Sequence, residues 1–212
     1  MNHRKSPYIF VIGNEKGGAG KTTCSMHLIV SLLERGYKVT SIDADCRQGS
    51  LTRYIENRAK YNQLNPDKMV LMPDHYLLKY SDKDLKSEKE QEEKAYFEEA
   101  LAKGMDSDFI IIDTPGTHSF LSSLAHSHAD TVITPINDSF VDIDVIAKID
   151  GKDLKVIGPS IYSQMVWEQK LEKAKRSEGT MEWILVRNRL SSVDAQNKKN
   201  VARVLTELSK RI

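Results

Sequence analysis

Two lysines and a threonine in a glycine-rich stretch are the residues of this chain with the clearest chemical purpose. Residues 13–23 read Gly-Asn-Glu-Lys-Gly-Gly-Ala-Gly-Lys-Thr-Thr. Glycines allow backbone amides to turn inward around phosphate oxygens, and a following helix N-terminus adds partial positive charge. Lys21 is placed to reach the β- and γ-phosphates of a nucleotide, and the Thr22 hydroxyl to bind Mg²⁺. The predicted phosphate-binding residues are Gly17, Gly18, Ala19, Gly20, Lys21, Thr22 and Thr23.

Carboxylates follow two apolar segments that the pattern predicts to be strands. Asp43 and Asp45 come after 38–42, and Asp113 comes directly after the apolar run 109–112. The carboxyl ends of parallel strands form the ligand-binding edge of doubly wound sheets, so we expect these carboxylates near the phosphate loop. Asp113 is predicted to serve Mg²⁺ through a bound water. Acidic residues after a strand are also common helix caps, which leaves Asp43 and Asp45 undecided on spacing alone.

The elements that must position these groups alternate between strand and helix. Strand 8–12, a helix ending near 35–36 and strand 38–42 make one βαβ unit. Further strands are predicted at 69–73, 109–112, 131–135 and 181–186, helices at 81–103 and 194–212, one or two helices within 51–68, and a loop at 136–142. We therefore expect an α/β fold, a single doubly wound, mostly parallel sheet flanked by helices, with 1–212 as one domain.

Charge and composition limit the partners. Thirty-one basic and 30 acidic residues give a net charge of +1, so nucleic-acid binding would need a local patch. The predicted C-terminal helix places Lys199, Arg203 and Lys210 on the side opposite its apolar residues, with Lys198 beside them. This face is either an ordinary solvated helix surface or a patch that binds DNA phosphates without reading sequence.

Targeting and metal signals are weak. The two cysteines lack C-x-x-C spacing, and the six histidines form no ligand pattern. No apolar run approaches the ~20 residues of a membrane-spanning helix, and the N-terminus lacks the apolar core of a signal peptide. We expect a cytoplasmic protein that contacts no membrane.

The spelling Lys-Gly-Gly-Ala-Gly-Lys-Thr, with Lys16 added before the usual lysine, resembles the deviant Walker A motif of the ParA/MinD ATPases. Segments 14–21, 45–48, 135–142 and 187–190 together look like the MipZ branch of that family, the division-plane-positioning ATPases. The resemblance implies that Lys16 reaches the nucleotide of a partner subunit. It also implies that Asp45 positions the attacking water near Mg²⁺ and that Gly116 senses the γ-phosphate.

Two more site assignments come from the same resemblance. It implies that Asn188 reads the adenine edge, although an asparagine after a strand is also an ordinary turn residue. It implies that 135–142 lines a subunit contact. The family cycle is one of ATP binding, homodimer closure, slow dimer-dependent hydrolysis to ADP and binding of non-specific double-stranded DNA. A nucleoid-associated protein with a ParB-like centromere protein and FtsZ as partners is thus expected.

Three alternatives remain open at this stage. A ParA-type partition ATPase would share every catalytic residue and differ in cargo. A metabolic P-loop enzyme related to dethiobiotin synthetase would need a small-molecule acceptor, and a pure binding module would bind ATP without hydrolysis. Chains of the family continue past the basic helix, whereas this one stops at Ile212, which predicts a C-terminal truncation and leaves a MinD-type membrane helix open.

Overall fold

The computed structural model describes residues 6–150, 155–190 and 196–208. The strands are β1 (Tyr8–Ile12), β2 (Val39–Asp43), β3 (Asp74–Leu77), β4 (Phe109–Asp113), β5 (Thr131–Asn137), β6 (Ala147–Ile149), β7 (Val156–Pro159) and β8 (Glu182–Asn188). The helices are α1 (Lys21–Glu34), α2 (Ser50–Leu64), α3 (Lys86–Lys103), α4 (Phe120–His128), α5 (Phe140–Ile146), α6 (Ile161–Lys175) and α7 (Gln196–Leu208).

Six strands form one parallel sheet in the order β3-β2-β4-β1-β5-β8, and β6 and β7 pair as a separate antiparallel hairpin. The register sets Asp113 of β4 beside Ile12 of β1 and Asp43 of β2. The phosphate loop and both carboxylate-bearing strand ends therefore meet at one edge of the sheet. The predicted fold class is confirmed.

Side chains of the central strands pack against both layers of helices. In β4, Ile110 and Ile112 join the core cluster that contains Phe97 of α3. Ile111 faces the other way and joins Ile29 of α1 in the second cluster. A strand buried on both faces must be apolar at successive positions, which is why the four-residue apolar run predicted a central strand.

Several predicted elements differ from the structure. Residues 69–73 are not a strand, because Asn62 holds both backbone groups of Val70 through its amide (Nδ2 to O, 2.8 Å; N to Oδ1, 2.7 Å), and β3 begins only after Pro73. The predicted loop 136–142 is instead the end of β5 and the start of α5. Residues 147–175, for which the sequence analysis predicted nothing, contain β6, β7 and α6.

The helix at 51–68 is resolved into α2 and a short 3₁₀ turn at Pro66–Lys68. The charged segment 81–103 becomes helical only from Lys86 onward. Within residues 6–150, 155–190 and 196–208, none of the helices has the length and apolar content needed to cross a membrane.

Candidate nucleotide-binding site

The phosphate loop lies between β1 and α1, as the sequence predicts. Gly18 and Gly20 adopt the left-handed φ values of +76° and +97°, which favour glycine. Ala19 is buried, Gly17 and Gly18 are exposed, and Thr23 faces solvent on the first turn of α1. The loop can thus present backbone at its surface because glycines occupy its strained positions.

Lys21 and Thr22 begin α1 beside the carboxylate that ends β4. Thr22 donates its hydroxyl to Asp113 Oδ2 at 2.7 Å, and Lys21 Nζ donates to the Lys16 carbonyl at 3.1 Å. Burial lowers the pKa of Lys21, while Asp113 and Asp45 oppose that shift. Burial raises the pKa of Asp113 to about 7, against the hydrogen bonds that it accepts. The site therefore gathers an amine, a hydroxyl and a carboxylate that the sequence predicted to act together.

Ser25 is a site residue that the sequence analysis missed. Its side chain is fully buried, and its hydroxyl donates to Asp113 Oδ1 at 2.9 Å. The two oxygens of the Asp113 carboxylate are thereby held by hydroxyls one turn apart on α1. A serine four positions after a helix-starting lysine lies on the same helix face, and this spacing could have identified Ser25.

Lys16 lies against another residue of its own chain. Its Nζ donates to Asp142 Oδ2 at 2.6 Å, and the Asp142 side chain is only 1% exposed while that of Lys16 is 30% exposed. Asp142 also accepts hydrogen bonds from the Asn137 backbone at 3.2 Å and from the Ser139 hydroxyl at 3.2 Å. The extra lysine of the loop is therefore joined to the start of α5, the segment that the resemblance associates with a subunit contact.

The two aspartates after β2 have different surroundings. Asp43 is buried, accepts from the Asp45 amide at 3.0 Å, and accepts from the amide and hydroxyl of Thr52 at 2.9 and 3.0 Å. Asp43 thus supports the turn into α2. Asp45 is half-buried and accepts from the Gln48 amide at 3.2 Å, so its carboxylate caps a turn at the rim of the site.

The loop after β4 approaches the phosphate loop closely. A Cβ built on Gly116 would lie 3.2 Å from both Lys21 Nζ and the Gly17 nitrogen. The same two loops also meet at Glu15 and His118, whose Oε1 and Nδ1 atoms are 3.2 Å apart. Gly116 therefore lies beside the lysine of the loop, and only a residue without a side chain fits there without displacement.

Asn188 ends β8 and lies over the phosphate loop. Its Nδ2 donates to the Ala19 carbonyl at 3.0 Å, and its Oδ1 accepts from the Arg189 amide at 2.9 Å. Arg189 has a left-handed φ of +51°, which is uncommon for a residue with a side chain. The strand end is thus turned sharply, and one N–H of the Asn188 amide is committed to the loop.

The basic residues predicted on the last helix are only partly described. Lys199 and Arg203 are exposed on α7, opposite the buried Val201 and Val204. The side chain of Lys198 and all of Lys210 lie outside the described residues. The amphipathic helix that would present such a patch is therefore present.

The residues at this site fit a magnesium nucleotide. In the described part of the chain no three His, Cys, Asp or Glu side chains gather as a metal site. Of the three residues predicted near Mg²⁺, Thr22 and Asp113 are hydrogen-bonded to each other, whereas Asp45 caps a turn. Mg²⁺ is usually bound by one or two carboxylates together with waters and substrate phosphates, which matches this small donor set. The amine of Lys21 is the cation that phosphate oxygens need.

Comparisons with known proteins find a matching family and curated relatives. The profile of the family described as ATPase MipZ matches residues 8–212. The septum site-determining protein MinD of Helicobacter pylori is 31% identical over 164 residues, which are 68% of this chain and 59% of that protein. The chain spans between 13% and 59% of the length of the curated relatives that it matches.

Solved structures share the fold at lower identity. An ATP complex of McdA from Cyanothece has a TM-score of 0.63 and 18% identity, with 99% of this chain and 82% of that chain covered. Cobyrinic acid a,c-diamide synthase from Mycobacterium smegmatis, with bound ADP and magnesium, has a TM-score of 0.55 and 19% identity, with 97% and 82% covered. At such identities the likeness supports the fold alone.

Proposed function

This chain belongs to the MipZ family of ATPases, and from that membership we propose that it is an ATP-driven dimerising switch that positions the cell-division plane. The observation that carries the proposal is a complete phosphate loop with a second lysine, Lys16, whose backbone carbonyl binds Lys21 and whose amine lies at the start of α5. An ordinary phosphate loop needs only the lysine that corresponds to Lys21.

Nucleotide binding is assigned to the phosphate loop, the first turn of α1 and Asp113. Residues 17–23 would hold the phosphates, with Lys21 neutralising the β- and γ-phosphates. Thr22 and Asp113 would hold Mg²⁺, which would supply positive charge against the charge that develops on the phosphates. Ser25 would keep the Asp113 carboxylate oriented, because its hydroxyl already binds one oxygen of that group.

Hydrolysis is assigned to Asp45 and Gly116. Asp45 would hold the attacking water, and the Gly116 amide would contact the γ-phosphate, as a glycine beside Lys21 Nζ is placed to do. Both residues lie on loops that follow strands, so losing the γ-phosphate removes a contact from each loop at once. The rate would be slow and would depend on the dimer, which makes hydrolysis a timer.

Dimerisation is assigned to Lys16. The charge of a triphosphate exceeds what Lys21, Mg²⁺ and the loop amides of one subunit neutralise, and an amine from a second subunit would stabilise the remainder, as an arginine finger does. For that role Lys16 must leave Asp142, to which it is bonded at 2.6 Å in the single chain. Exchanging one anionic partner for another keeps the amine paired in both states.

The DNA and protein partners follow from the family. Lys198, Lys199, Arg203 and Lys210 would bind duplex phosphates. A dimer would carry two such patches on one surface and so raise affinity by avidity. Control by a ParB-like centromere protein and opposition to FtsZ polymerisation complete the proposed role. The nucleoid is the proposed location.

The test of the switch is oligomeric state, measured by light scattering with ADP, ATP and a non-hydrolysable ATP analogue. We expect dimers only with the triphosphates, none for Lys16→Ala, and a long-lived ATP dimer for Asp45→Ala. Lys148→Ala, an exposed lysine on β6, serves as the control and should behave as wild type. A Lys16→Ala protein that dimerises normally with ATP would reject the cross-subunit role.

The DNA assignment is tested separately. Reversing charge at Lys199 and Arg203 should abolish gel shifts of duplex DNA while leaving ATP affinity unchanged, because both side chains are exposed on α7, opposite the buried Val201 and Val204. Unchanged shifts would show that this face is an ordinary solvated surface. The salt dependence of binding should also be steep in wild type, as counterion release requires.

A metabolic role is distinguished by the same measurements. The fold is shared with cobyrinic acid a,c-diamide synthase, a biosynthetic enzyme, so fold alone does not choose between the two. An enzyme of that kind would turn over ATP only with a small-molecule acceptor and would not dimerise in response to the γ-phosphate. ATP-dependent dimers therefore favour the switch.

A further inference from the structure

Helix α2 exposes large side chains on one face. Tyr54, Tyr61 and Leu64 are 54%, 43% and 81% exposed, while Leu51 and Ile55 on the inner side are buried. At about 100° per residue, the three exposed residues lie within about 80° of one another around the helix. We call the set Tyr54, Asn57, Arg58, Tyr61 and Leu64 the α2 patch.

A cleft runs between the α2 patch and the chain segment after the helix. Its volume is about 310 Å³, and it is lined by Tyr54, Asn57, Arg58, Tyr61 and Val70. The far wall is fixed to the helix, because the Arg58 guanidinium donates to the Leu71 carbonyl at 2.9 Å and the amide of Asn62 holds the backbone of Val70. Hydrogen bonds between the helix and this segment therefore hold the shape of the cleft.

Arg58 retains unused hydrogen-bonding capacity in this cleft. Its Nε is buried and has no hydrogen-bond partner among the described residues. An atom this buried is closed to a ligand, so a ligand in the cleft would meet the terminal nitrogens of the guanidinium, which carry four of its five N–H groups. A carboxylate is the group that a guanidinium binds best, with two parallel hydrogen bonds.

The basic residues of α2 lie nearer to the α2 patch than its single acidic residue does. The helix contains Arg53, Arg58 and Lys60 but only one acidic residue, Glu56. On the helical wheel all three basic residues lie within about 120° of Tyr54, whereas Glu56 lies about 160° away. An acidic ligand approaching the α2 patch would meet basic groups on both flanks and no carboxylate of the helix.

Apolar surface around the cleft decides which acidic ligand fits. Leu64 and the nearby Met69 and Leu71 are all more than half exposed. Phosphates of a nucleic acid would leave this aliphatic surface in contact with charge, whereas a peptide with apolar and acidic residues would cover it. We propose that the α2 patch binds an acidic peptide segment of a partner protein, whose apolar side chain enters the cleft between Tyr54 and Tyr61.

Such a partner would act close to the catalytic loop. Thr52, on the first turn of α2, donates twice to Asp43, and Asp43 accepts from the amide of Asp45. Movement of α2 on peptide binding would therefore reach Asp45 through two hydrogen-bonded residues. This consequence rests on the proposed function, since it assumes that Asp45 takes part in ATP hydrolysis; peptide binding itself does not.

The test uses phage-displayed random 12-residue peptides selected on the nucleotide-free protein. We expect selected sequences to be rich in Asp and Glu and to contain Leu or Phe. Labelled copies should bind at least tenfold more weakly, by fluorescence anisotropy, to the Tyr54→Ser/Tyr61→Ser double variant and to Arg58→Gln. Gln63→Ala, on the opposite side of α2, is the control and should bind as wild type.

The variants are suitable because the side chains of Tyr54 and Tyr61 are exposed, so the double variant should unfold at the urea concentration of wild type. Selected peptides that are basic or uncharged, or that bind the double variant equally well, would overturn the proposal. Binding of a labelled thymidine dodecamer with the same dependence on the tyrosines would assign the patch to nucleic acid instead. An unchanged rate of ATP hydrolysis with peptide bound would overturn only the link to Asp45.

Discussion

One buried histidine beneath the phosphate loop should make a destabilising contribution when the pH is lowered from 7.5 to 5.0. His126 is fully buried, and its Nδ1 lies 2.7 Å from the Ser122 carbonyl, which can only accept. Nδ1 must therefore carry the proton, and Nε2 accepts from the Tyr162 hydroxyl at 3.1 Å. Tyr162 in turn lies 3.0 Å from the Thr134 hydroxyl, which accepts from Trp183. The network is satisfied with a neutral imidazole.

The magnitude follows from the pKa of His126, which burial lowers from 6.5 to about 4. Between these values the unfolded chain binds a proton that the folded chain does not, so stability falls as the pH falls through this window. Each pH unit is worth about 1.4 kcal/mol, so the loss from this residue should be about 2 kcal/mol at pH 5.0. Above pH 6.5 the residue should contribute no pH dependence.

The assay is urea unfolding of wild type and His126→Gln at pH 7.5 and 5.0. The variant loses packing at both pH values, so the informative quantity is the change in unfolding free energy between them. We expect that change to be about 2 kcal/mol smaller in His126→Gln, because glutamine does not titrate. His75 and His128 also have lowered pKa values, and the raised pKa of Asp113 acts in the opposite direction, but all three groups are present in both proteins and cancel. Equal pH dependence in the two proteins would refute the reasoning.

Three substitutions test other contacts of the fold and site by urea unfolding. Gly13→Ala should cost about 2 kcal/mol, because its Cβ would overlap the buried ring of His126 and lie 2.8 Å from the hydroxyl of the buried Tyr162. Gly158→Ala should be nearly neutral, because no atom lies within 4 Å of its Cβ, and equal values for the two variants would contradict this. Lys173→Met should cost about 2–3 kcal/mol, since it removes a buried amine that donates to Asp130 at 2.9 Å. An unchanged urea midpoint would show that the Lys173–Asp130 ion pair does not stabilise the fold. Ser25→Ala should cost about 1–3 kcal/mol by leaving one oxygen of Asp113 without its donor. The variant should also weaken binding of ATP with Mg²⁺ more than binding of ATP alone. Equal weakening of both would count against the role of Ser25 in orienting Asp113.

Local sequence was sufficient for the elements that carry the phosphate chemistry. β1, the loop, the first turn of α1 and β4 lie where they were predicted, because each follows from short-range rules: glycines at left-handed positions, and an apolar run ending in a carboxylate. The prediction failed at 69–73, where an apolar run suggested a strand. There the backbone is bonded to the side chain of Asn62, a contact that no strand propensity describes.

The sequence by itself determined the α/β fold class, the phosphate loop, and the proximity of Thr22 and Asp113. The two motifs and the alternation of strands and helices along the chain suffice to bring those groups to one sheet edge. Only the tertiary structure decided what Lys16 contacts, what holds the Asp113 carboxylate, and where α2 keeps an open cleft. Lys16 and Asp142 are 126 positions apart, and their 2.6 Å contact depends on how β5 delivers α5 to the loop. Hydrogen bonds are short and directional, so a partner that distant in sequence is fixed by packing of the whole sheet.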